Sequence, residues 1–111
     1  MTVREIIDQL KAAVFVEGDM SVEIKAGYSS DLLSDVMGNA PEESILFTIQ
    51  AHKNTIAVAS LAGIRAIVLC NGRSAPEDMC TAAEHEGISL IGTSKNQFTA
   101  GAIAAKSLGI V

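Results

Sequence analysis

Between Ile64 and Ile103 the chain writes an apolar strand, a polar loop and an amphipathic helix twice in succession. Ile64-Arg65-Ala66-Ile67-Val68-Leu69-Cys70 runs into Asn71-Gly72-Arg73-Ser74-Ala75-Pro76, and Ile88-Ser89-Leu90-Ile91 runs into Gly92-Thr93-Ser94-Lys95-Asn96-Gln97. Near-continuous apolar runs of this length fit strands buried on both faces, the condition of a parallel sheet covered by helices. Strand-helix-strand units of this kind close as right-handed crossovers, so their loops collect at one edge of the sheet, where open α/β folds gather ligands.

The rest of the chain extends that frame. Ser44-Ile45-Leu46-Phe47-Thr48-Ile49 reads as a third central strand, followed by a loop at Gln50-Ala51-His52-Lys53, an N-cap at Asn54 and a helix from Thr55 to Ala62 closed by Gly63. At the N-terminus, Thr2 with Glu5 predicts a capping box, and Val3, Ile6, Ile7 and Leu10 form one apolar helical face. Ala13-Val14-Phe15-Val16 reads as a short strand and Val22-Glu23-Ile24-Lys25 as an alternating strand near an edge. Gly27-Tyr28-Ser29-Ser30 leads into a short helix from Asp31 to Met37 with a Ser cap, closed by Gly38-Asn39. Further helices are expected at about residues 76–86 and 97–108. The expected fold is one domain over residues 1–111, α/β, with three α/β/α layers around a mixed but mainly parallel sheet.

Composition narrows the function classes. Aromatic residues make up 4% of the chain against 49% hydrophobic, so the core must be built from Ile, Val, Leu and Ala. With 8 Lys+Arg against 13 Asp+Glu and a net charge of -5, no basic stripe is available to neutralise phosphates, which argues against DNA, RNA or an anionic membrane as the main partner. No signal-peptide pattern and no membrane-spanning apolar run is read from the sequence, and a cytoplasmic location is expected. Cys70 and Cys80 have no metal or redox spacing and read as reduced, small hydrophobes.

Three loops compete for chemistry at the shared edge: Gln50–Asn54, Asn71–Ser74 and Thr93–Asn96, joined by Tyr28, Ser30 and Asp31. Glu77 and Asp78 follow Asn71–Ser74 and complement the helix dipole, which makes that loop the poorer anion site despite Arg73. Thr93, Ser94, Lys95 and Asn96 open a helix with hydroxyls, a cation, an amide and no acid, the better anion site, although the same residue types also serve as simple caps. His52, between Gln50 and Asn54, has the chemistry of a proton carrier, but no nucleophile or orienting acid is placed beside it by spacing; a loop histidine that fixes its turn is the plainer reading. No catalytic residue, metal site or cofactor is therefore assigned. The residues nominated as ligand-binding are Tyr28, Ser30, Asp31, Gln50, His52, Asn54, Thr93, Ser94, Lys95 and Asn96.

Gly27-Tyr28-Ser29-Ser30-Asp31-Leu32-Leu33-Ser34, with Thr48-Ile49-Gln50-Ala51-His52-Lys53-Asn54 and Ala57-Val58-Ala59, resembles the DRTGG-domain family as a small standalone member, itself similar to the N-terminal domain of HPr kinase/phosphorylase. The literal Asp-Arg-Thr-Gly-Gly string is absent; Ala51-His52-Lys53 and Cys70-Asn71-Gly72 stand where relatives often carry Gly-Asp-Arg and Thr-Gly-Gly. The resemblance implies an α/β/α domain used as a regulatory or interaction module attached to enzymes. A kinase activity is not expected, because no Gly-x-x-x-x-Gly-Lys-Ser/Thr phosphate loop is present. The expected role is a noncatalytic sensor of a small anionic or nucleotide-like metabolite that signals to a partner enzyme; the alternative is a ligand-free accessory module of a multi-subunit metabolic or redox enzyme. A homodimer is expected, from the small-residue final helix Phe98-Thr99-Ala100-Gly101-Ala102-Ile103-Ala104-Ala105 and from the habit of similar domains.

Overall fold

The computed structural model describes residues 1–111. The elements follow in the order α1 (Val3–Leu10), β1 (Ala13–Val16), β2 (Ala26–Ser29), α2 (Leu33–Asn39), β3 (Ser44–Thr48), α3 (Lys53–Ala62), β4 (Ala66–Leu69), α4 (Glu77–Glu86), β5 (Ser89–Gly92) and α5 (Gln97–Ser107). They form one five-stranded sheet in the order β1-β5-β4-β3-β2. Strands β2 to β5 are parallel, and β1 joins β5 antiparallel with a bulge between Val14 and Val16. The sheet is thus mixed and mainly parallel, as the apolar runs imply.

Strict alternation along the strands makes two cores from one sheet. Ile45, Phe47, Ala66, Val68 and Ile91 point to one face, where α1 contributes Val3, Ile6 and Leu10 and α5 contributes Ala100 and Ala104. Leu46, Ile67, Leu69 and Leu90 point to the other, against Val36 of α2, Ile56 and Ala59 of α3, and Met79 and Ala83 of α4. Each fully buried branched side chain contributes about 1.5–3 kcal/mol, so this double burial is the main stabilising term. Helices α2, α3 and α4 lie on one face because β2, β3, β4 and β5 are adjacent in sequence order and each crossover has the same hand. After β5 the chain passes to the opposite face, and α5 packs back over β2 and β3.

Local expectations are met unevenly. The Thr2–Glu5 capping box forms in both directions. The expected strand Val22-Glu23-Ile24-Lys25 does not: its alternation records burial of Ile24 beside exposed Glu23 and Lys25, and the stretch forms an isolated bridge from Glu23 to Thr2 with single backbone bonds from Ile24 N to the Met1 carbonyl and from Lys25 N to the Glu43 carbonyl. The edge beyond β3 is instead formed by β2, where Ala26 comes into register with Ser44. Helix α2 begins at Leu33 behind Leu32, with no side-chain cap, and continues through Gly38 and Asn39. Helix α3 begins at Lys53, so Asn54 lies within its first turn and His52 occupies the cap position without a capping hydrogen bond.

Candidate functional site

The parallel strands deliver the loops after β2, β3, β4 and β5 to one edge, and antiparallel β1 brings the end of α1 there too, because Ala13 pairs with Gly92. The chain leaving β5 crosses the end of β4 and is held there by backbone bonds from Asn71 N to the Lys95 carbonyl and from Gly72 N to the Thr93 carbonyl, each 2.9 Å. This crossing sets α5 down beside β2 and β3.

At the β2–β3 end the polar side chains are occupied with one another. Asp31 Oδ1 accepts from Thr48 Oγ1 at 3.0 Å, Ile49 N at 2.9 Å and Gln97 Nε2 at 3.2 Å. Gln50 Nε2 donates to the Asp31 carbonyl at 2.9 Å. Gln97 Nε2 also lies 3.1 Å from the Phe47 carbonyl and 3.3 Å from Ser29 Oγ, pinning the first residue of α5 to two strands. Asp31 and Gln50 are brought together as nominated, but as a fastening of loops; the residue that completes it, Gln97, was not among the candidates. No local motif marks it, since its partners lie 50 to 68 residues away.

The remaining nominees divide. Tyr28 packs on the α2 side and its hydroxyl donates to Asp35 Oδ2 at 2.8 Å. Ser30, Tyr28 and Asn39 hold the Asp35 carboxyl below the ordinary aspartate range, and Asp35 in turn raises the Tyr28 phenol. Ser30 Oγ accepts from Leu32 N. His52 is exposed and makes no side-chain hydrogen bond, while Asn54 lines a groove between α3 and α4 with Lys53 and His85. Thr93 and Ser94 open instead into a cleft on the β1 side. The loop after β3 and the loop after β5 therefore share the sheet edge without sharing one cleft.

Electrostatics and capping reinforce the division. Cys70, at the end of β4, is pushed up to about 11 by burial and then by the Asp31 charge, so its thiol is protonated and inert at neutral pH. Asp31 places a negative field at the β3–β4 end, where an anion would be disfavoured. At α5, Asn96 Oδ1 accepts from Thr99 N at 2.8 Å and Thr93 Oγ1 accepts from Lys95 N at 3.2 Å, so the nominated anion site is partly closed by its own caps.

No protein-family model and no curated protein matches the chain. Among solved structures it is similar to the CBS and DRTGG domains of the regulatory region of Clostridium perfringens pyrophosphatase, complexed with the activator diadenosine tetraphosphate, with a TM-score of 0.77 and 14% identity. The likeness covers 96% of this chain and 46% of that one, so the chain spans about half the length of its structural neighbour. It is a likeness of fold, and it supports the DRTGG-like reading of the sequence.

Proposed function

We propose that the protein is a noncatalytic regulatory domain that senses a small anionic or nucleotide-like metabolite and transmits the event to a partner enzyme. The observation that carries this is the fold likeness, over 96% of the chain, to a regulatory region that was crystallised with a nucleotide activator. The further similarity to the N-terminal domain of HPr kinase/phosphorylase, a cytoplasmic setting and a homodimer belong to the same proposal. A catalytic role is a weaker account of His52, which is exposed and hydrogen-bonded to neither a nucleophile nor an acid.

A ligand-free interaction module is the second reading, and one observation favours it. Beside the fastened Asp31 and Gln97, Leu32 and Phe98 are 64% and 87% exposed, an apolar presentation at the same sheet edge that suits contact with another protein. Thermal denaturation of the purified chain with diadenosine tetraphosphate, mononucleotides and phosphorylated metabolites separates the two, because a ligand that binds only the native state raises the apparent Tm by mass action. A saturable rise supports the sensor. No rise with any compound favours the interaction module.

A further inference from the structure

We infer that the phosphate group of a small phosphorylated ligand is taken in the cleft between Lys11 and Arg73, where α1 ends against the loops after β4 and β5, rather than at the Lys95 helix start. This assignment rests on the ligand-sensing reading and gives it a site. The cleft has a volume of about 310 Å³, and Lys11, Arg73, Ser74, Thr93, Ser94 and Phe15 are among its walls. That is the lower end of the size range of small-molecule sites, roughly 300–1,000 Å³.

Three features of the fold converge there. First, β1 runs antiparallel to β5, so Lys11 at the end of α1 reaches the edge where the parallel strands finish; its left-handed backbone, φ 51°, turns the chain from helix into strand. Secondly, Asn71 and Gly72 are both left-handed, φ 59° and 67°, and their N–H groups bond to the crossing segment 93–95, which holds Arg73 beside Thr93 and Ser94. Thirdly, Gly92 lets the Phe15 ring close one wall: a Cβ at Gly92 would stand 2.6 Å from that ring.

Charge selects the ligand class. No carboxylate lines the cleft, and neither Lys11 nor Arg73 is in a salt bridge, although the chain carries 13 acids against 8 bases. Glu77 and Asp78, the acids that the sequence sets against Arg73, line a different groove between α3 and α4 with Lys53 and His85. Lys95 lines none of the molecule's clefts. Ser74 and Ser94 are exposed and their hydroxyls are free of protein partners, which leaves donors beside the two cations. A guanidinium fork, an ammonium and two hydroxyls form a donor set matched to phosphate oxygens.

The test is NMR and calorimetric titration of the full chain with AMP and with inorganic phosphate. Both are expected to move the amide resonances of residues 72–74 and 92–94. Lys11→Gln and Arg73→Gln are each expected to weaken AMP about tenfold or more, whereas Lys53→Gln, in the α3–α4 groove, leaves it unchanged. AMP bound with undiminished affinity by both cleft variants would overturn the site and leave the sensor reading standing. An equal loss in Lys53→Gln would mark a general charge effect and overturn the site as well. If neither probe binds, the site is overturned, and the wider metabolite screen decides the sensor reading separately.

Discussion

Cys70 shows how a residue's surroundings set its chemistry. Its thiol is raised to about 11 by burial and by the Asp31 charge, from an ordinary value of 9.0. The unfolded thiol therefore ionises first, so this group's contribution is intact below about pH 9 and is lost as pH rises from there towards 11. Chemical denaturation across that interval should show falling stability, with a shallower fall in Cys70→Ala. Thiol labelling of the native protein at pH 8 should leave Cys70 unmodified until it unfolds. Asp35 works in the opposite direction. Its carboxyl is lowered by Ser30, Tyr28 and Asn39, so the stabilisation is present above the ordinary aspartate value of 3.8 and is lost as pH falls through the lower folded value. Asp35→Asn should flatten the acid limb of a stability profile measured between pH 5 and pH 2, roughly the interval over which a paired aspartate titrates; an unchanged limb would mean that Ser30, Tyr28 and Asn39 together give the carboxylate no net stabilisation.

At the scale of elements, joints matter more than spans. Gln97→Ala removes the tie from α5 to Asp31 and the Phe47 carbonyl, and should cost about 0.5–1.5 kcal/mol by urea denaturation. Gly18 and Gly92 both sit where a Cβ has no room, but their neighbours differ. At Gly18 the obstruction is backbone, the Gly87 carbonyl and Ser89 N, while at Gly92 it is the far end of the Phe15 ring. Gly18→Ala should therefore cost about 1–3 kcal/mol, and Gly92→Ala less, because the ring can swing out. Spans were legible in the sequence and joints were not. The runs Ser44–Thr48, Ala66–Leu69 and Ser89–Gly92 announce central strands because both faces are buried, and local burial is what residue type reports. β2 is hidden in Ala-Gly-Tyr-Ser, whose pairing depends on β3 beyond the α2 crossover, and Val22 to Lys25 looks like a strand because alternation tracks burial rather than ladder pairing. The candidate site suffers the same limit: Gln97 and Lys11 matter only through partners far along the chain, which no local pattern encodes.

For the whole molecule, the two faces of the sheet have different duties. The α2–α4 face is closed by three sequential crossovers, whereas the opposite face depends on α1 and on an α5 rich in Ala. Ala100 and Ala104 pack on the sheet, while Gly101 and Ala105 line an apolar groove of about 260 Å³ against β2. No helix is long and apolar enough to cross a membrane. Self-association is expected at high micromolar concentration, and light scattering that finds only monomer there would remove the homodimer from the proposal. Binding of a nucleotide-like anion by this regulatory domain is tested by calorimetric titration of the native chain with diadenosine tetraphosphate and AMP. A saturable heat that fits one site per chain, weakened by added salt as charge recognition requires, is the expected result. An absence of heat for both ligands, together with an unshifted Tm, would contradict it.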